Sequence, residues 1–438
     1  MRTVGIIAEY NPFHTGHEYH LRMAKELSDA DFAVVVMSPD YVQRGAPAIF
    51  DKYTRTEMAL RCGADLVIEL PVCYATGSAE YFAEGAVRLL EGLGVVDTLC
   101  FGAEPVEASG SAELSAAMDR ENFQTIAQIL LEEPEPYRLA LREGLRLGLT
   151  FPRAREEALN HYIDVCRNET GHTKDPSDEA KKDRNTLAAL LSTPNNILGV
   201  EYCKALKKIH SGICPLPLPR RGSSYSEQGL TGEYCSAGAI RKCLEKGDAH
   251  SPDGYIPERI RALFSEAGTC PIFPDDLLLL LTYRLIDGDN LDAVFDLSGD
   301  LAERVYRLRF QCIGKRFREI TALLKTKQIT EARIRRALLH LILDIRKETV
   351  ASFCREGYVF YAHILGFRRE AAPLLHEIRQ KSALPLISRA AHAGKQLSDS
   401  GRQLWSMDVA ASHLYRAIRA EKYGIPFRTE QEISPVVI

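Results

Sequence analysis

Glu9-Tyr10-Asn11-Pro12-Phe13-His14-Thr15-Gly16-His17 is the stretch whose reading decides the fold. It follows directly on a short apolar run, Val4 to Ala8, and leads into residues with helical spacing from His17 to Leu27. The run has the length of a buried strand. Asn11-Pro12 forces a turn, because the residue before a proline is driven out of the α region. Gly16 has no Cβ, so backbone there can come close to a bound group. A helix opening at this point aims unpaired N–H groups and the positive end of its dipole beyond the strand. His14 and His17 flank that opening, and both can reach a phosphate chain. A bare His-x-x-His reads equally well as a zinc pair or as two core residues. Strand, turn, H-x-G-H and helix in that order read as an anion site. No Walker-type G-x-x-x-x-G-K-[ST] competes with it elsewhere in the chain.

Working outward, Phe32 to Met37, Leu66 to Ile68 and Thr98 to Phe101 are further apolar runs. Stretches with helical spacing, Arg55 to Cys62 and Ala79 to Leu90, lie between them. Alternation at this pace predicts a doubly wound α/β domain with a parallel sheet. Ligands on such sheets bind beyond the carboxyl ends of the strands. The loops after Ala8, Met37, Ile68 and Phe101 should therefore surround one site. Residues about 109–210 read as a helical insertion, with 171–183 an exposed polar loop. A short strand from Cys214 to Leu218 leads into Arg220-Arg221-Gly222 and then to a helix opening near Ser236. From about 257 onward helical spacing dominates. The expected division is a nucleotide-binding domain over 1–250 and a mainly helical, partly basic domain over 251–438.

At 438 residues the chain is long enough for more than one core, and 45% hydrophobic with 26% charged residues is ordinary for a folded protein. Residues 301–370 hold 16 Lys and Arg against 7 Asp and Glu, in a chain of net charge −4. Arg333, Arg335 and Arg336 on a helix there can face phosphates, or they can be a solvated face with pairs such as Glu331–Arg335. The 11 cysteines include no C-x-x-C pair, which argues for reduced thiols over a disulfide or zinc framework. The first residues form too short an apolar run for a signal peptide, and no run is long enough to span a bilayer. A cytoplasmic protein is the expectation.

Tyr234-Cys235-Ser236-Ala237-Gly238-Ala239-Ile240-Arg241-Lys242 is a second phosphate element in outline. Ser236 can cap a helix whose N–H groups, with Arg241, reach the far phosphates.

Together with H-x-G-H this resembles the HxGH nucleotidyltransferase superfamily. The run from Gly5 to His20, Val42-Gln43-Arg44-Gly45, Gly63 to Pro71, Pro194 to Gly199, Thr330 to Arg336 and Leu365-Gly366-Phe367 resemble the tRNA(Met) cytidine acetate ligase family. The resemblance spans nearly the whole chain. It implies that His14 and His17 are catalytic and hold the ATP phosphates while the α-phosphorus is attacked. It implies an ATP site made of Ile7, Ala8, Glu9, Tyr10, Asn11, Pro12, Phe13, His14, Thr15, Gly16, His17, Glu18, Tyr19 and His20. Gly102, Asn195, Arg221, Ser236 and Arg241 complete it. Asn196 rivals Asn195, and Arg220 rivals Arg221. The implied reaction activates acetate as acetyl-adenylate and acetylates the wobble cytidine of elongator methionine tRNA. Mg²⁺ is expected only with the ATP phosphates, with no side-chain metal site. An adenylyltransferase acting on a small phosphate-bearing metabolite would use the same H-x-G-H chemistry. Ser38-Pro39-Asp40-Tyr41 departs from the family's usual Ser-Gly and bears on the carboxylate or cytidine pocket.

Overall fold

Phe32-Ala33-Val34-Val35-Val36-Met37 can only be a strand covered on both faces, and from Ala33 onward its side chains are fully buried. In the computed structural model, which describes residues 1–104, 112–169, 190–191, 193–220, 234–248, 250–297 and 299–438, it is the second strand of a parallel sheet. β1 (Thr3–Ala8) pairs with β2 (Phe32–Met37) in parallel along its whole length, Thr3 opposite Phe32 and Ala8 opposite Met37. Helix α1 (Thr15–Ser28) crosses between them. A small hairpin, β3 (Tyr41–Val42) and β4 (Ala46–Pro47), precedes α2 (Lys52–Arg61). β5 (Leu66–Glu69) then joins β2 in parallel, and β6 (Thr98–Ala103) joins β1 after helices Val72–Ala75 and Ala79–Gly92. The four expected strands and the helices between them are all present.

The chain forms two compact units. One comprises Met1–Cys100, Arg221–Leu324 and Glu331–Ile438, and the other Phe101–Arg220 with Lys325–Thr330. This differs from the boundary expected at residue 250. The reason is Ala362-His363-Ile364-Leu365-Gly366-Phe367, a strand (β8) lying in a region that otherwise reads as helical. It runs antiparallel to β5, with Leu66 opposite Phe367. β9 (Leu386–Ile387) and β10 (Val436–Val437) add to β8 in parallel. A six-residue run is too short for periodicity to separate strand from buried helix, so the sheet's extension was not legible. Around it the C-terminal third is helical as expected, with the longest helix at Asp399–Tyr423.

The second unit is built on the helices Ala112–Glu132, Glu135–Arg146, Phe151–Glu169 and Pro194–Lys208, together with β7 (Cys214–Pro219). Phe101 meets Phe123 edge-on at 5.3 Å and Tyr202 at 5.7 Å. The expected strand at Cys214 is present, and the 171–183 loop lies outside the described residues. All 11 cysteines are free thiols. No helix among the described residues is long and apolar enough to cross a membrane.

What ties the last hundred residues to the first hundred is a buried set of charges. The Lys52 ammonium, 1% exposed, lies 2.6 Å from Glu69 Oε1 and 2.8 Å from Glu430 Oε1. Glu69 also contacts His363 Nδ1, and Glu430 accepts from Arg416 at 2.5 Å and from the Tyr53 hydroxyl at 2.8 Å. Asp40 accepts from the Lys52 backbone N at 2.8 Å and from Ser412 Oγ at 2.7 Å. Asp408 accepts from Val72 N at 2.7 Å and from the Tyr361 hydroxyl. Isolated charges at such depth would each cost several kcal/mol, so the set stands only while every member is partnered.

Burial opposes the charge on Glu69 and Glu430, but Lys52 overrides it and holds both carboxyls below their ordinary range. Carboxyls so depressed add stability above about pH 4.5 and lose it as pH falls through their folded values. Glu430→Gln strands Lys52 and Arg416 against one fewer charge, and should cost about 3–5 kcal/mol at pH 7. Urea denaturation at pH 7 and below pH 3 checks this. The deficit against wild type should shrink at the lower pH, and an equal deficit at both would show that packing, not charge, is what the variant lost.

Candidate active site

Arg55 sets the geometry of the loops beyond the strands. Its side chain is fully buried and donates only to backbone carbonyls. Nε reaches Phe50 O at 2.9 Å, Nη1 reaches Glu9 O at 2.6 Å and Ser38 O at 3.0 Å, and Nη2 reaches Pro39 O. A rigid planar fork with five donors suits this use, and a lysine could not replace it. One side chain thus pins the loop after β1 to the loop after β2. Glu9 Oε1 adds a bond from Gln43 N at 2.9 Å, and Asn11 Oδ1 one from Ile49 N at 2.8 Å. Arg55 escaped notice in the sequence because it sits within an ordinary helical pattern.

Within this frame His14 is the N-cap of α1, with extended backbone, and its Nδ1 accepts from Gly16 N at 3.1 Å. A neutral imidazole that accepts at Nδ1 carries its proton on Nε2, which is then a donor. His17 lies one turn in, its ring centroid 3.8 Å from that of His14 and the planes 31° apart. Tyr10 presents an edge to His17 at 5.0 Å and Phe13 lies at 5.5 Å, so the two imidazoles rest on an aromatic wall. Gly16 has a local reason beyond ligand access: a Cβ there would lie 2.9 Å from His14 Cε1 and push the capping ring aside. Thr15 Oγ1 is buried without a hydrogen-bond partner among the described residues, at the mouth of the same helix. Ile7 and Ala8 end β1 directly before this turn.

The Ser236 element joins the same place. Ser236 caps the helix Ala237–Glu245, accepting from Ala239 N at 3.1 Å, and Arg241 donates to Asn11 O at 2.5 Å. The structure therefore brings His14, His17, Asn11, Ser236 and Arg241 together. Pro12 follows Asn11 through a cis peptide bond. Further along the first turns of α1, Glu18 lies 3.6 Å from Arg259, Tyr19 packs on Tyr234 and His20 Nε2 lies 3.6 Å from Cys100 Sγ.

In the second unit, Asn196 is 1% exposed and spends its amide on the strand end, accepting from Glu104 N at 2.8 Å and donating to Glu104 O at 3.1 Å. Asn195 instead donates to the Glu104 side chain at 2.8 Å and stays partly open. The geometry leaves Asn195, not Asn196, with capacity for a ligand. Gly102 faces the aliphatic part of Arg220, whose N bonds to Ala103 O at 2.8 Å. Arg221 lies outside the described residues.

Two further residue sets have partners within the protein. Asp40, the departure from the family pattern, is 1% exposed and belongs to the Lys52 network. Arg335 is paired with Glu331 at 2.5 Å and Arg336 with Asp296 at 2.8 Å. Their helix, Glu331–Leu343, packs at its start on Gly45, whose φ of +71° and missing Cβ let the Arg335–Arg336 backbone pass closer than any side chain allows. Arg333 also has an interaction within the protein. Glu69, His363 and Glu430 place ligand atoms within 4.8 Å of one another, as a metal site would, but Lys52 and Arg416 already supply the positive charge there.

Comparison with known proteins gives one answer. The family model for HIGH nucleotidyl transferases matches residues 1–427. A protein of Thermoanaerobacter sp. (strain X514) described as tRNA(Met) cytidine acetate ligase is 39% identical over 418 residues, 95% of each chain. One of Clostridium perfringens with the same description is 34% identical over the full length of both chains. Two crystal structures of Thermotoga maritima TmcAL, one bound with alpha-thio ATP and one apo, superpose with TM-scores of 0.85 and 0.87 at 30% identity, covering all of both chains. A parallel sheet with H-x-G-H at the end of its first strand, matched along its whole length in this way, leaves no second assignment: the chain belongs to the tRNA(Met) cytidine acetate ligase family of HIGH nucleotidyl transferases.

Proposed function

We propose that this protein is an ATP-dependent ligase that joins acetate to the wobble cytidine of elongator methionine tRNA, in the cytoplasm. The observation that carries the reading is the stacked pair His14 and His17 at the open N-terminus of α1, tied through Asn11 to Arg241. The relatives named for this reaction and the TmcAL structure bound with alpha-thio ATP support it. Loops pinned by Arg55 hold these donors in place before substrate arrives, which is the form of catalysis that nucleotidyl transfer needs.

In the first step an acetate oxygen attacks the α-phosphorus of ATP, and the bond from that phosphorus to the bridging oxygen breaks to release pyrophosphate. His14 Nε2–H, His17 and the α1 N-terminus neutralise charge that builds on the phosphates. Arg241 and the Ser236 helix cradle the departing end. In the second step the cytidine exocyclic nitrogen attacks the acetyl carbonyl, the bond to the phosphate oxygen breaks, AMP leaves and the nitrogen gives up a proton. Mg²⁺ would enter as a counter-ion on the nucleotide's own phosphates. By the family resemblance, Asn195 is a candidate contact to the nucleoside.

Acetate-dependent exchange of pyrophosphate into ATP tests the first step alone. His14→Ala and His17→Ala should each lower the exchange rate by about a hundredfold or more. Exchange at wild-type rates in both would remove the role assigned to them. His14→Asn retains a capping acceptor, so it should keep melting behaviour close to wild type while its exchange stays depressed.

Asn195→Ala and Asn196→Ala separate binding from folding. The first should raise KM for ATP with little change in stability. The second leaves Glu104 backbone groups unpaired and should lose about 1–3 kcal/mol. The opposite pattern, in ATP titrations and urea melts, would make Asn196 the nucleotide contact.

A further inference from the structure

The arginines first expected to meet RNA are engaged within the protein, but the same basic region contains a face that is not. Residues 304–318 hold six Lys and Arg and no Asp or Glu. They cover most of the helix Asp300–Cys312 and the turn into the helix Phe317–Leu324. Arg304 is occupied, donating to Leu323 O and Leu324 O. Arg307, Arg309, Lys315, Arg316 and Arg318 form no salt bridge among the described residues.

Aromatic rings stand among these cations. The helix buries Leu301, Ala302, Val305 and Cys312, so its packing is complete without Tyr306 and Phe310, which are 53% and 59% exposed. The Arg309 guanidinium lies over both, 3.8 Å from the Tyr306 centroid and 4.4 Å from that of Phe310. Ile313 continues the exposed row one turn on. Exposed rings are unfavourable in water, and the five cations, which outnumber the exposed Glu303 and Glu319 that flank them, repel one another. A polyanion with flat unpaired faces relieves both at once: phosphates take the cations and bases stack on the rings. A protein partner would need acids matched to each arginine around the aromatic row. The neighbouring helix Leu278–Asp287 exposes Leu279 and Tyr283 but ends among Asp287 and Asp289, so the face favourable to phosphate stops there.

We propose that the face carrying Tyr306, Arg307, Arg309, Phe310, Lys315 and Arg318 is the RNA-contacting surface, and that it takes unpaired nucleotides of the tRNA by stacking. This rests on the function proposed above and names where that partner docks. It assigns the sequence-independent contact to residues 306–318 in place of Arg333, Arg335 and Arg336.

The test uses the full chain with unmodified elongator methionine tRNA in filter binding at two salt concentrations. Acetate-dependent pyrophosphate exchange and sedimentation velocity run in parallel. Both variants change exposed side chains outside the ATP site, so their exchange should match wild type. Tyr306→Ser with Phe310→Ser should weaken tRNA binding about tenfold or more. Arg307→Gln with Arg318→Gln should flatten the salt slope by about one to two. Wild-type tRNA affinity and salt slope in both variants would overturn the proposal. So would a wild type that sediments as a dimer and a ring variant that is monomeric with tRNA affinity intact, which gives the face to a second copy of the chain. A wild type that exchanges pyrophosphate but binds no tRNA would overturn the tRNA reading itself, a result distinct from failure of the variants alone.

Discussion

The ammonium of Lys52 between Glu69 and Glu430 is the interaction on which the rest of the arrangement depends. Lys52 begins α2, Glu69 ends β5 and Glu430 comes from the last residues of the chain, so three distant segments meet at one charge. A lysine at this depth is tolerated only because two carboxylates face it, and those carboxylates only because His363, Arg416 and Tyr53 complete their shells. Apolar contacts would bring the segments together as well. They would not fix the register of Glu69 on β5 against His363 on β8, which the charges specify atom by atom.

From that fixed point the active loops follow. Lys52 also donates its backbone N to Asp40, and Asp51 caps the same helix while pairing with Arg419 at 2.7 Å. With α2 so anchored, Arg55 one turn on reaches back to Glu9, Ser38 and Pro39 and holds the two loops that flank the H-x-G-H turn. The imidazoles of His14 and His17 therefore stand on a rigid support.

How much of this the sequence disclosed follows from the range of the signals. The four parallel strands, their helices and the H-x-G-H turn were legible because each is a local pattern: β-branched runs, a proline turn, a glycine beside a capping histidine. The Ser236 cap and Arg241 were legible for the same reason. β8 was not, since six residues between helices carry no period of their own, and its partner lies nearly 300 positions earlier. Lys52, Arg55 and Glu430 carry no local signal of burial, and Asp40 read as bearing on the carboxylate or cytidine pocket, because only the folded chain shows that all four are buried. The Glu331–Arg335 pair, four residues apart on one helix, was legible, whereas the Asp296–Arg336 pair joins distant segments and was not.

One incubation reaches the central claim most directly: the full-length protein with ATP, Mg²⁺, acetate and unmodified elongator methionine tRNA, followed by mass spectrometry of the digested nucleosides. The account predicts acetylcytidine at the wobble position, formed only when ATP and acetate are both present, with AMP and pyrophosphate as the other products. ATP cleaved to AMP and pyrophosphate with no acetylcytidine would contradict it, leaving a working adenylation site whose acceptor is a different molecule.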